Sequence, residues 1–296
     1  MASLATPSID RWDQARTDPD ALNAAFADSR AKRLVLSGLD PIVDDGRLRR
    51  EAIPAGAALG DHLLMGREED GAPLFVELHR DVPHAGARSP AVWDAATLLE
   101  ASELSLYGGA RSLIDWHARH GFCSSCGGMT SAAKGGWSRH CDGCGADHFS
   151  RVDPVVIMLA EHHGPDHQNR VLVARQPGFP EGRYSALAGF VEPGEALEGA
   201  VARELFEEAG IYVHSIDYLM SQPWPFPSSL MIACTAQTED DHLTIDTTEL
   251  EDAFWVDADG VRAALDGADN APFIAPPAMA VARNLLIHWL SRQPGQ

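Results

Sequence analysis

Residues 189–211 read GFVEPGEALEGAVARELFEEAGI. The stretch divides into a loop, a helix and a stop. Pro193 and Gly194 make the turn into the helix, and Gly210 suits the left-handed position that ends one. Leu197, Val201 and Leu205 recur every fourth residue and form the stripe that packs inward. Glu204, Glu207 and Glu208 stand at i, i+3 and i+4, so their carboxylates share a face and repel. A merely solvated face would interleave Lys or Arg to relieve that repulsion, yet Arg203 is the only basic residue in the stretch. Clustered carboxylates with so little counter-charge suit hard divalent cations, Mg²⁺ or Mn²⁺, which prefer oxygen ligands. Arg203 is placed to orient a neighbouring carboxylate, Glu207 at i+4 or Glu195 across the turn.

Around this stretch lie 296 residues with 23 Lys+Arg against 43 Asp+Glu, a formal charge of −20. Hydrophobic residues make up 45 %, which excludes a disordered chain. The longest apolar runs, such as 155–160, fall far short of the ~20 residues a membrane span needs. The N-terminus carries charges and prolines where a signal peptide needs an apolar core. A cytoplasmic protein with no membrane partner is expected. A charge of −20 disfavours broad electrostatic grip on nucleic acid. It leaves room for a specific anionic ligand neutralised by metal ions.

The charge is unevenly divided: −7 over 1–118, +1 over 119–150 and −14 over 151–296. These breaks coincide with changes of pattern, and three domains are expected at those boundaries. Over 1–100, short strand-like runs (34–36, 63–65, 74–78) between Gly, Pro and Asp predict a small, mostly β domain. From Glu103 to Arg119, Leu106, Ala110, Leu113, Ile114 and His117 fall at helical spacing. Strands are expected at 155–160, 171–174, 230–235 and 253–256, with helices at 197–209 and about 278–290. His162, His163 and His167 lack companion ligands and read as a solvated hairpin loop. Cys234 reads as a buried small side chain.

The other four cysteines are paired: Cys123-x2-Cys126, fourteen residues, then Cys141-x2-Cys144. Each pair is followed by glycine, Gly127 or Gly145, as a tight turn aiming two sulfurs at one ion requires. Four thiolates make a closed tetrahedral site, the usual structural Zn²⁺ arrangement. A redox pair lacks the expected βαβ context. So short a segment cannot build its own core, so the metal must supply folding energy.

The 189–211 stretch matches G-x5-E-x7-R-E-U-x-E-E-x-G-U (U aliphatic) at every fixed position: Gly189, Glu195, Arg203, Glu204, Leu205, Glu207, Glu208, Gly210 and Ile211. The chain thereby resembles the Nudix hydrolases. That resemblance implies an α+β fold, a Nudix α/β/α sandwich with a mixed sheet. It also implies hydrolysis of nucleoside diphosphates linked to another moiety.

Ten residues on, 221–229 reads SQPWPFPSS. Three alternate prolines enforce an extended, rigid backbone. Trp224 and Phe226 offer flat surfaces for a ring, and Gln222, Ser228 and Ser229 offer hydrogen bonds. The stretch is similar to the SQPWPFPxS signature of the NADH pyrophosphatase branch, whose members also carry a four-cysteine zinc ribbon. The resemblance implies homodimers in which both chains build the substrate site, and some relatives that remove NAD caps from RNA 5′ ends. It implies catalytic metal ligands at Glu204, Glu208 and the Ala188 carbonyl, with Glu207 in the cluster. Glu249 best matches a further metal-binding carboxylate, with Glu251 the alternative. It implies substrate contacts at Phe149, Phe190, Gln222, Pro223, Trp224, Pro225, Phe226, Pro227, Ser228, Ser229, Met231 and the main chain of Ala282. Many relatives have Tyr where this chain has Phe149, and an acidic contact can occur where it has Gly136.

The expected reaction is metal-dependent hydrolysis of the NAD(H) pyrophosphate to AMP and NMN(H), with Glu207 or Glu249 accepting the proton. Removal of NAD caps from RNA is the alternative. A zinc-ribbon nucleic-acid-binding or regulatory protein is the alternative of a different class. The intact box argues against it.

Overall fold

A computed structural model describes residues 9–79, 81–82, 89–164 and 169–293. The chain forms two compact units. One comprises the described part of 2–152 together with Pro223–Ser229; the other comprises 153–222 and 230–293. The expected boundary at 118/119 falls inside the first of these.

The first unit opens with helices α1 (Asp13–Thr17) and α2 (Pro19–Ala27). Asp18 caps α2, accepting from the backbone N–H of Asp20 and Ala21, and Pro19 sits where its missing N–H costs nothing. Strands β1 (Lys32–Leu34), β2 (Leu36–Ser37), β3 (Asp40–Pro41), β4 (Val43–Asp44), β5 (Arg47–Leu48), β6 (Arg50–Ala52), β7 (His62–Arg67) and β8 (Pro73–Glu77) follow. They form a sheet in the order β6-β1-β8-β7 and two small two-stranded ladders, β2-β3 and β4-β5. Helices α3 (Pro90–Leu98) and α4 (Ala101–Arg119) complete the core. The face expected on α4 is buried, from Leu106 and Ala110 to His117. The expectation of a mostly β region over 1–100 misses α1, α2 and α3, which at five and nine residues are too short to mark a period. The ribbon adds β9 (Ser131–Ala133), β10 (Ser138–His140) and β11 (Asp147–Phe149), ordered β11-β10-β9.

The second unit contains β12 (Asp153–His163), β13 (Asn169–Arg175), β14 (Leu187–Phe190), α5 (Leu197–Ala209), β15 (His214–Trp224), β16 (Ser229–Thr238), β17 (Asp252–Asp257), α6 (Ala258–Asp266) and α7 (Val281–Leu290). The sheet order is β15-β16-β12-β13-β17, with β14 also on β12. Side chains alternate across a strand, and β12 uses both faces. Val156, Met158 and Ala160 join the core under α5, while Ile157 and Leu159 join the one under α6 and α7. This is the expected sandwich. His162 is a correction: it is 3 % exposed, lies in β12 beside Trp255 (5.5 Å between rings) and is not in a solvated loop. The apolar run simply continues as a strand past Ala160. His163 is exposed, and His167 lies outside the described residues. Cys234 is buried as expected.

Candidate active site

Helix α5 carries the glutamates, and its ends are built as the sequence implies. Gly210 takes the left-handed conformation (φ 74°), its N–H reaching the Leu205 and Phe206 carbonyls. Strand β14 runs beside α5, and there Gly189 explains itself. A Cβ on Gly189 would fall inside the Glu204 carboxylate, so only glycine leaves that carboxylate its seat.

Arg203 ties loop to helix. Nε and Nη2 donate to the two oxygens of Glu195 (2.7 and 2.9 Å), and Nη2 also to the Phe190 carbonyl (2.9 Å). Nη1 donates to Glu204 (2.8 Å) and Glu207 (3.0 Å). Both partners foreseen for Arg203 are thus taken, and Glu204 besides. The Arg203 bonds, then the Glu192 backbone N–H, hold the Glu195 carboxyl down at about 2.

The remaining carboxylates crowd together. Glu204 and Glu208 are 8 % and 2 % exposed. Burial raises the Glu204 carboxyl, and the charges of Glu207 and Glu249 add to that against Arg203. Burial pushes Glu208 up to about 8, helped by the charges of Glu204 and Glu249 and by a hydrogen bond with Glu249. Its Oε2 is buried with no hydrogen-bond partner. Glu249 arrives because its segment is zipped to the end of α5: Thr244 N–H donates to Ala209 O, and Asp246 N–H to Glu208 O. Leu250 then anchors in the core. Glu251 instead pairs with Arg175 (2.7 Å). Two buried carboxylates, Glu204 and Glu208, with one orphaned oxygen and the exposed Glu249 beside them, are the donor set a hard divalent cation takes. Ala188 lies in β14 next to Gly189, opposite Ile157 of β12. Glu207 is largely exposed.

The four cysteines place their sulfurs within 4.8 Å of one another. No other group of three or more His, Cys, Asp or Glu among the described residues brings ligand atoms that close. Gly127 and Gly145 adopt positive φ (75° and 76°), and their N–H groups turn back onto the Cys123 and Cys141 carbonyls. Four thiols in two such knuckles fit a structural Zn²⁺. His148 Nε2 lies 3.2 Å from Cys123 Sγ, a neighbour the spacing does not reveal. Gly136 is buried at φ 88°, where a Cβ would meet Leu63 at 2.7 Å. An acidic side chain has no room there.

The residues expected at the substrate are variously placed. Phe190 and Phe149 are exposed, with Lys134 Nζ 5.2 Å from the Phe149 ring. Pro223 and Pro227 are exposed, Trp224 and Ser228 half-buried, Pro225 and Ser229 buried. Phe226, expected to offer its face, is instead 8 % exposed within the N-terminal core. Gln222 is also buried, and both ends of its amide are used. Nε2 donates to Met279 O (2.8 Å), and Oε1 accepts from Val281 N–H (2.9 Å). It therefore caps α7 rather than projecting hydrogen bonds outward. Met231 packs half-buried in β16, and Ala282 is buried in α7.

Comparison with known proteins bears on this site. Residues 151–275 match the NUDIX domain model, and 118–149 match the NADH pyrophosphatase zinc ribbon domain. Over 308 aligned positions the chain is 33 % identical to the NAD-capped RNA hydrolase NudC of Mycobacterium bovis, covering 97 % of this chain and 94 % of that one. The chain belongs to the Nudix family, in the branch with this zinc ribbon. This Nudix chain is also 41 % identical to the NAD-capped RNA hydrolase NUDT12 of Macaca fascicularis over 204 residues, 66 % of its own length. It spans 44 % of that relative. A NUDIX hydrolase structure from Nitrosomonas europaea overlaps 58 % of the chain and 91 % of its own at 22 % identity, TM-score 0.41.

Proposed function

We propose that the chain hydrolyses the pyrophosphate of NAD(H), with water, to AMP and NMN or NMNH. The observation that carries this is the pair of buried carboxylates, Glu204 and Glu208, with the orphaned Glu208 Oε2 and the exposed Glu249 beside them, in a chain whose relatives are named for acting on NAD-capped RNA. Glu204, Glu208, Glu249 and the Ala188 carbonyl hold Mg²⁺ or Mn²⁺, with Glu207 at the edge of the cluster. Those ions, when bound, neutralise the diphosphate and lower the pKa of a water. Arg203 keeps Glu204 in register and Glu195 out of the metal cluster. Glu207 or Glu249 accepts the proton of the attacking water. Phe190 and Phe149 stack on rings of the dinucleotide. The outward side of the 223–229 segment, Pro223, Trp224, Pro227 and Ser228, contacts it, and Met231 and the Ala282 main chain lie along it. Pro225, Phe226, Ser229 and Gln222 support rather than touch. The working form is a homodimer in the cytoplasm.

The second reading, removal of NAD caps from RNA 5′ ends, is favoured by the relatives' names and uses the same chemistry. The remaining negative charge makes recognition rest on the cap and not on the RNA backbone. The test is incubation of the zinc-loaded chain with Mg²⁺ or Mn²⁺ and NADH, NAD⁺, ADP-ribose or NAD-capped RNA, reading mononucleotide release. NAD-type substrates are cleaved, and Glu208→Gln is inactive with its zinc and fold intact. Hydrolysis of none of them sinks the reading; a clear preference for ADP-ribose removes NAD(H) as the substrate. Gel filtration of the active species checks the dimer.

A further inference from the structure

The segment Pro223–Ser229 groups with the N-terminal unit, and helix α4 of that unit holds its centre. Arg111 is 1 % exposed. Its Nε donates to the Pro225 carbonyl (2.9 Å) and its Nη1 to the Leu39 carbonyl (2.8 Å). Its guanidinium lies 4.8 Å from the centre of the Phe226 ring. The next residue, Ser112, donates from Oγ to the Pro227 carbonyl (3.1 Å). Trp224 meets Phe226 edge-on (5.2 Å between rings), and both pack on the cluster that contains Leu104, Tyr107 and Leu113.

The ends of the segment belong to β15 and β16, but prolines have no N–H to donate, and at its centre the Phe226 N–H turns back onto the Trp224 carbonyl (2.9 Å). The Pro225 and Pro227 carbonyls take their donors from α4. An arginine suits the task because its donors lie in one rigid plane. That plane bridges two carbonyls by its edge while its face covers a ring. Lysine offers one nitrogen and no face.

We propose that Arg111 is a positioning residue for the diphosphatase reaction. Through Pro225 and Phe226 it fixes the strap whose outward side meets the dinucleotide. The proposal rests on the NAD(H) reading given above.

Arg111→Met and Arg111→Lys, full length and zinc-loaded, are compared with wild type in two measurements. One is hydrogen exchange of a peptide spanning Pro223–Ser229; the other is NADH kinetics. In Arg111→Met the strap amides exchange faster, and kcat/KM falls about ten- to a hundredfold, with KM carrying the loss. Arg111→Lys lies between, since an ammonium keeps the charge and three donors but has neither the rigid fork nor the flat face. Unchanged strap exchange overturns the proposal. So does a loosened strap with wild-type KM, or a fall in kcat alone. A wild-type chain inert toward NADH overturns the functional reading and with it any part for Arg111 in the reaction; the exchange result still distinguishes that outcome from a strap Arg111 does not hold. Should Arg111→Met fail to fold, Ser112→Ala removes only the Pro227 bond at the edge of α4. It is expected to shift the same two readouts in the same direction by less, and no shift in either counts against the proposal.

Discussion

Gly189 has no side chain, and that is its function. The Glu204 carboxylate occupies the space a methyl group would need. Gly189→Ala therefore displaces Glu204 while leaving every glutamate in the sequence. Activity is expected to fall by about a hundredfold or more, with stability lowered by about 1–3 kcal/mol from overpacking. Turnover and thermal melting check this together, and near-wild-type turnover would mean that Glu204 does not act from the seat it occupies. The glutamates and glycines of this site are legible because their spacing is local. Gln222 and Phe226 are not. A buried amide satisfied at both ends by Met279 and Val281 looks, in the sequence, like any polar residue offered to a ligand. Its partners are 57 and 59 residues away.

At the scale of the element, α5 is bound to the loop before it by the Arg203–Glu195 fork. The Glu195 carboxyl is held near 2, below its ordinary 4.5. The folded chain thus releases that proton more readily than the unfolded one. The pair's contribution is full above about pH 4.5 and is lost as pH falls toward 2. Glu195→Gln is expected to lower the melting temperature at pH 6 and to converge on wild type as both are taken toward pH 2.5. A gap that stays constant with pH would show that the charge of Glu195 is not what holds the loop. Helix α5 itself is legible because Leu197, Val201 and Leu205 mark its period and Gly210 its end. Helix α6 has a shorter stripe, Val261, Ala264 and Leu265, framed by boundary signals: Asp257 caps it through the Gly260 N–H, and Gly267 ends it at φ 69°. Asp18 and Pro19 are the same kind of signal for α2. Capping residues were readable in both places; the period between them was too short to confirm a helix.

For the whole molecule, the ribbon belongs with the N-terminal unit. Trp137 Nε1 donates to Leu64 O, Arg16 lies 3.7 Å over the Trp137 ring, and buried His117, its imidazole lowered to about 4 by burial, donates from Nε2 to Gly136 O. Structural zinc contributes on the order of 10 kcal/mol in isolated finger peptides. Removing it by chelation, or by Cys141→Ser, is expected to abolish exchange protection over residues 123–149 and to loosen β7 and the end of α4. Strands β12 and β13 and helix α5, which have cores of their own, keep theirs. Protection of the ribbon that survives zinc loss would contradict this. No helix among the described residues is long and apolar enough to cross a membrane. The four cysteines and the box could be read from local spacing. The burial of the strap could not, because Arg111 and Pro225 are 114 residues apart. Arg203 also constrains how such a chain can drift over generations. Its bonds reach Phe190, Glu195, Glu204 and Glu207, and no other side chain has five donors in one fixed plane. A lineage that loses Glu195 keeps a guanidinium free to turn wholly onto Glu204 and Glu207, and one that loses Arg203 leaves Glu195, Glu204 and Glu207 without the cation they share. Neither loss is repaired by a single further substitution. The spacing between the two is inherited with them, because one turn of helix more or less moves Arg203 out of reach.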